Sequence, residues 1–103
     1  MSQIAYVVKL TAAEGKRDEA LATLGKLVAA TGDEPGTVQY VMHTEVDDPQ
    51  VIWFYELYAD KAAFEAHIGS TTMAEVMGSL SGLLDGPADM RQLEIVQAKG
   101  GAA

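Results

Sequence analysis

Cysteine does not occur anywhere in the 103 residues of this chain. Its absence excludes a disulfide framework, a thiol nucleophile, a thiolate metal site and an iron–sulfur cluster. Cations are also scarce: seven Lys and Arg stand against fifteen Asp and Glu, leaving a net charge of -8. A surface of that sign repels phosphate backbones and anionic lipid head groups, so neither nucleic acid nor a membrane is expected as a partner, and acidic substrates are disfavoured. No run reaches the roughly 18 apolar residues of a membrane span. Met1-Ser2-Gln3 places no basic charge ahead of its short apolar run, unlike a secretory leader. Together these features predict a cytoplasmic setting. Neither a Gly-rich phosphate loop nor a Ser-centred nucleophile elbow occurs.

What is present suffices for one small folded domain. Hydrophobic residues make up 49% of the chain and charged residues 21%, enough to bury a core. We read residues 1–98 as a single domain and 99–103 as a flexible tail. A domain of this length buries only about two-thirds of its unfolded surface and would gain stability by pairing with a second copy.

Periodicity supplies the elements. Ile4, Tyr6, Val8 and Leu10 alternate with Ala5, Val7 and Lys9, predicting a strand over 3–11. Over 14–31 the period lengthens, with Ala20, Leu21, Leu24, Leu27 and Val28 forming one helical stripe that Gly32 closes. Segments 37–46 and 51–59 are rich in β-branched and aromatic residues and flank Asp47-Asp48-Pro49-Gln50, which reads as a hairpin. Asp60 can cap a helix running to about residue 68, where Gly69 interrupts it. Thr72 with Glu75 has capping-box spacing for a further helix, which Gly86-Pro87 stops. Residues 90–98 alternate again as a last strand. The order β-α-β-β-α-β predicts an α+β, ferredoxin-like fold, a four-stranded antiparallel sheet with its helices on one face.

Hairpin register decides which side chains meet the helices. With Asp48-Pro49 at the tip, His43 lies opposite Phe54, Val41 opposite Glu56 and Gln39 opposite Tyr58, all on one face. The other face then carries Tyr40, Met42, Trp53, Tyr55 and Leu57 without a charge. Because helices cover only one side of such a sheet, this second apolar face calls for a partner sheet. A register displaced by one residue, with the helices on the Trp53 side, would instead leave His43 and Glu56 in solvent.

Glu34-Pro35-Gly36 followed by Val38-Gln39-Tyr40, then Asp48-Pro49, Tyr55-Glu56-Leu57-Tyr58-Ala59-Asp60 and Ala62-Ala63-Phe64-Glu65-Ala66-His67, resembles the antibiotic biosynthesis monooxygenase family across nearly the whole folded chain. The resemblance implies a dimeric α/β barrel, two ferredoxin-like protomers packed sheet to sheet, here a homodimer through the face bearing Tyr40, Trp53, Tyr55 and Leu57. Some relatives oxidise polycyclic phenols or quinols with molecular oxygen and no bound cofactor, some degrade haem, and others act on small quinones or signalling molecules. In the better understood members an Asn, a Trp and a His recur in a cavity between sheet and helices. This chain has no Asn, Tyr58 fills the Trp place, and His67 keeps a helix histidine.

A cofactor-independent monooxygenase acting on a small aromatic or quinone-like molecule needs a base and a dry pocket, because the ionised substrate itself must reduce oxygen. Histidine suits the base, its ordinary pKa lying near neutrality. His67 is the candidate base, with Tyr58 to orient the substrate oxygen. Phe54, Phe64, His43, Glu56 and Met77 are candidate substrate contacts. Each has a plainer reading: a surface histidine, a core methionine stripe, a structural ion pair for Glu56. His43, His67 and Glu56 come from different elements with no diagnostic spacing, so no metal site is predicted. The competing function is a dimeric protein that binds an apolar ligand and catalyses nothing.

Overall fold

The computed structural model describes residues 3–100; Met1, Ser2 and positions 101–103 of the expected tail lie outside them. The elements are β1 (Ile4–Thr11), α1 (Arg17–Ala30) leading into a short 3-10 turn (Thr31–Asp33), β2 (Thr37–Glu45), β3 (Asp48–Tyr58), α2 (Lys61–Ile68), α3 (Thr71–Ser79) and β4 (Asp89–Leu93). All strand pairings are antiparallel, in the order β2-β3-β1-β4. This is the predicted ferredoxin-like sheet. The shortest dimension of the molecule is 20 Å, which accommodates one helical layer on one sheet.

Local chemistry explains most boundaries. Helix α1 begins with Asp18 and Glu19 in its first turn, where negative charge meets the positive end of the helix dipole, and it buries Ala20, Leu24 and Leu27. The Asp60 carboxylate accepts from the Ala63 N–H at 2.8 Å and so caps α2. Ser70, rather than the expected Thr72, caps α3 by accepting from the Met73 N–H at 3.1 Å. Strand β4 stops at Leu93, short of the expected 98, because Leu93 pairs with Ala5 and β1 runs out one residue later. The core joins Val8, Leu10, Ile52 and Phe54 of the sheet to Ala20, Leu24, Leu27, Val76, Leu80 and Leu83. Among the described residues no helix is long and apolar enough to cross a membrane.

The hairpin departs from the expected register. Its tip is at residues 46–47, with Glu45 paired to Asp48, and an irregularity then displaces the ladder. As a result His43 pairs with Trp53, Val41 with Tyr55, Tyr40 with Glu56 and Met42 with Phe54. A one-residue slip moves every β2 side chain to the opposite face. Tyr40 and Met42 therefore pack against the helix-side core, and His43 and Val41 turn outward. The irregular segment is held by tertiary bonds. The Gln50 side-chain amide donates to the carbonyls of Ala12 and Ala13 at 3.1 and 3.2 Å, and Arg17 Nε donates to the Pro49 carbonyl at 2.8 Å.

The sheet face away from the helices is therefore different from the one expected, and it is not free of charge: Lys9 is 5.8 Å from the Trp53 ring centroid and Glu45 accepts from Trp53 Nε1 at 2.8 Å. Trp53 and Tyr55 remain on it, half-buried, beside Val7. Tyr40 is lost to the helix side. Leu57 shares the face, but at 0% exposure it is already covered within the protomer and offers nothing to a partner.

Candidate active site

A cavity of about 310 Å³ lies between the sheet and the helices. That is at the small end of the roughly 300–1,000 Å³ typical of small-molecule sites. Its walls are Leu24 and Leu27 of α1, Val8, Tyr40 and Phe54 of the sheet, Met73, Met77 and Leu80 of the helical region, and Met90 of β4. Two groups with acid–base chemistry interrupt this apolar lining: Glu56 and His67.

His67 is on α2, which the Asp60 cap fixes directly after β3. Its side chain is only 2% exposed. The ring lies between two tyrosines, its centroid 4.8 Å from Tyr40 and 5.4 Å from Tyr58. Nδ1 is 2.8 Å from Glu34 Oε1, and the same carboxylate oxygen accepts from the Thr37 hydroxyl at 2.8 Å. A carboxylate can only accept, so Nδ1 donates this bond, and whenever the ring is neutral Nε2 carries the lone pair. Nε2 is buried without a hydrogen-bond partner among the described residues. Buried polar atoms are rarely left so.

Glu34 reaches His67 because the loop before β2 lies close to α2. A side chain at Gly36 would run into the Ala63 Cβ, so glycine is required there for close approach and not for an unusual φ. The Ala59 N–H donates to the Gly36 carbonyl at 2.8 Å, tying the same loop to the end of β3. The Glu34-Pro35-Gly36 loop thus carries the carboxylate that orients the histidine.

Glu56 is 5% exposed and has no cation within ion-pair distance among the described residues. Its Oε1 accepts from the Tyr58 hydroxyl at 2.6 Å. Burial pushes the Glu56 carboxyl above its ordinary pKa, and the Tyr58 bond and the nearby imidazole only partly oppose this. Burial and the neighbouring carboxylates also push both tyrosines up, keeping Tyr40 and Tyr58 as neutral phenols.

The structure brings Phe54, Glu56, His67 and Met77 to one cavity and separates the other candidates from it. Tyr58, at 0% exposure, is behind the wall, its hydroxyl committed to Glu56 and not free to meet a substrate. Phe64 stacks on Tyr6 with centroids 4.5 Å apart and meets Tyr58 edge-on, so it supports the site from outside the cavity. His43 is on the opposite sheet face, where Nδ1–H donates to the Trp53 carbonyl at 3.2 Å. The slipped register put it there, and the set of His43, His67 and Glu56 is therefore never assembled. Among the described residues no three His, Cys, Asp or Glu side chains are grouped to hold a metal ion. Sequence reasoning missed Tyr40 through that same register and Glu34 because it is 33 residues from the histidine it orients.

Comparison with known proteins agrees with this architecture. The chain superposes on PA3566 from Pseudomonas aeruginosa with a TM-score of 0.87 at 25% identity, covering 94% of this chain and 97% of that one. A conserved protein from Methanosarcina mazei Go1 gives 0.84 at 25% identity, with 90% and 92% covered. A Caulobacter crescentus protein, provisionally assigned as an antibiotic biosynthesis monooxygenase, gives 0.88 at 23% identity, with 93% and 92% covered, a likeness of fold. No curated protein matches the chain. The model of one family, antibiotic biosynthesis monooxygenase, matches residues 3–78, the span that carries Glu34, Tyr40, Glu56 and His67, and the chain belongs to that family.

Proposed function

We propose that this protein is a cofactor-independent monooxygenase that oxidises a small aromatic or quinone-like compound with molecular oxygen. The observation that carries this reading is the unpartnered Nε2 of His67 on the wall of an apolar cavity, with Nδ1 anchored to Glu34. An imidazole so oriented takes a proton at Nε2, and the carboxylate stabilises the imidazolium that forms.

The chemistry then belongs to the substrate. A phenol or enol bound with its hydroxyl at Nε2 loses that proton and becomes electron-rich enough to reduce oxygen. Carbon–oxygen bond formation at the ring position bearing the charge gives a peroxide. Loss of water from the peroxide leaves a new carbonyl, so one oxygen atom enters the product and the other departs in water. The four electrons that reduce oxygen all come from the substrate, and no external reductant is needed. Phe54, Tyr40, Leu24 and the methionines give the cavity an apolar lining, which disfavours the water that would quench the anion.

Proteins of this family are commonly dimeric. For this chain the helix-free sheet face, through Val7, Val41, Trp53 and Tyr55, is the surface we assign to pairing, and sedimentation at micromolar concentration tests it.

Oxygen uptake by the purified protein against a panel of naphthols, hydroquinones and anthrones tests the main reading. Turnover that falls by about 10²–10⁴-fold in His67→Gln, the usual worth of a general base, supports it. Ligand binding with no oxygen consumption by any of the panel would leave a carrier of apolar ligands as the better description.

A further inference from the structure

The mechanism above uses His67 and leaves Glu56 without a role, although the two share one cavity. A carboxyl in mid-strand at 5% exposure needs an explanation, since an unpaired buried carboxylate is costly. Tyr58 on its own strand donates to Oε1 at 2.6 Å. Across the ladder lie Tyr6 of β1 and Tyr40 of β2, its cross-strand neighbours. His67 of α2 also acts on its charge, and the histidine's own partner, Glu34, is in the loop before β2. None of these is a permanent cation, and the imidazole is already paired with Glu34. With Oε1 accepting from Tyr58, a proton on the carboxyl resides on Oε2, which makes no hydrogen bond to the described residues.

We propose that Glu56 serves the site as a neutral carboxylic acid, positioned by Tyr58, which donates a hydrogen bond to a second substrate oxygen while His67 accepts the proton of the first. The burial that raises its pKa and the lack of a partner cation act in the same direction. A buried acid of this kind donates to an oxygen on which negative charge develops, as an oxyanion hole does. The pair of groups defines a substrate class: an aromatic whose hydroxyl is conjugated with a carbonyl, so that the charge released at His67 can appear on the oxygen held by Glu56. This inference rests on the proposed reading of His67 and adds the recognition element that reading lacks. Tyr58 is a positioning residue in this scheme.

The experiment compares two probes on three proteins. The probes are 2-hydroxy-1,4-naphthoquinone, whose anion spreads its charge from hydroxyl to carbonyl, and 1-naphthol, which has no carbonyl. Wild type, Glu56→Gln and Glu56→Leu are titrated by intrinsic fluorescence. We expect Glu56→Gln, which keeps a neutral donor, to bind the hydroxyquinone within about 3-fold of wild type, and Glu56→Leu to lose at least about 10-fold, the scale of one hydrogen bond to a charged group. Affinity for 1-naphthol should change less in Glu56→Leu than affinity for the hydroxyquinone does. An infrared difference spectrum between wild type and Glu56→Gln should show the carbonyl stretch of a protonated carboxyl in the wild type alone. If the wild type binds both probes but Glu56→Leu binds the hydroxyquinone as well as it does, or the infrared band is absent, the role of Glu56 is overturned while the reading of His67 stands. If the wild type binds neither probe, the cavity reading falls and this inference falls with it.

Discussion

The Glu34–His67 pair offers a test in which two substitutions at one position separate charge from orientation. Glu34 Oε1 accepts from both His67 Nδ1 and Thr37 Oγ1, each at 2.8 Å. Glu34→Gln leaves a carbonyl oxygen able to accept from both but removes the negative charge. A hydrogen bond to a charged group is worth about 1.5–3 kcal/mol and a neutral one about 0.5–1.5, so the variant should lose roughly 1 kcal/mol of imidazolium stabilisation. Partial exposure of Glu34, 21% of its side chain, draws the value toward the lower end through solvent screening. At about 1.4 kcal/mol per tenfold, kcat/KM should fall by about 3–10-fold. Glu34→Ala removes the acceptor altogether, and the ring proton is then free to move to Nε2, the atom that must accept. The loss should approach the full 10²–10⁴-fold, by order of magnitude, of general-base catalysis. The same variant leaves a buried N–H unpaired and should destabilise the fold by about 1–3 kcal/mol in urea titration. Oxygen-uptake kinetics read the first effect, and nitrogen NMR of the histidine ring reads the tautomer directly. An alanine variant within threefold of wild type, or a wild-type ring protonated at Nε2 and not Nδ1, would refute the orienting role.

Two other outcomes follow from the geometry. Gly36→Ala should destabilise the protein by about 1–3 kcal/mol, because its methyl would press on the Ala63 Cβ and force the loop from α2; a chemical-denaturation midpoint measures it, and an unchanged midpoint would show that the loop gives way freely. The raised pKa of Glu56 makes native stability fall as pH rises: the native state holds a proton that the unfolded chain releases above its ordinary value, 4.5, so the contribution is complete below that pH and disappears as pH rises through the folded value. Thermal midpoints recorded upward from pH 4 should therefore move in favour of Glu56→Gln relative to wild type, and parallel curves would contradict a shifted carboxyl.

Strands, helices and their order were legible in the sequence because each is encoded locally. The alternation of Ile4, Tyr6, Val8 and Leu10, the stripe of Ala20, Leu24 and Leu27, and the cap at Asp60 each involve neighbours within a few residues. His67 and Glu56 were legible as candidates for a similar reason: a histidine one helix after a strand end, and a carboxylate in an apolar run, are anomalies visible along the chain. The register of β2 on β3 was not. It is decided by the anchoring of Gln50 to Ala12 and Ala13 and of Pro49 to Arg17, contacts spanning more than thirty residues, and a period of two turns a single-residue error into an exchange of faces. That exchange brought Tyr40 into the site and sent His43 out of it. The committed hydroxyl of Tyr58 and the Glu34 carboxylate on His67 are likewise tertiary facts, since a hydrogen bond chooses its partner only when folding has brought donor and acceptor within 3 Å and removed the water that would otherwise satisfy both.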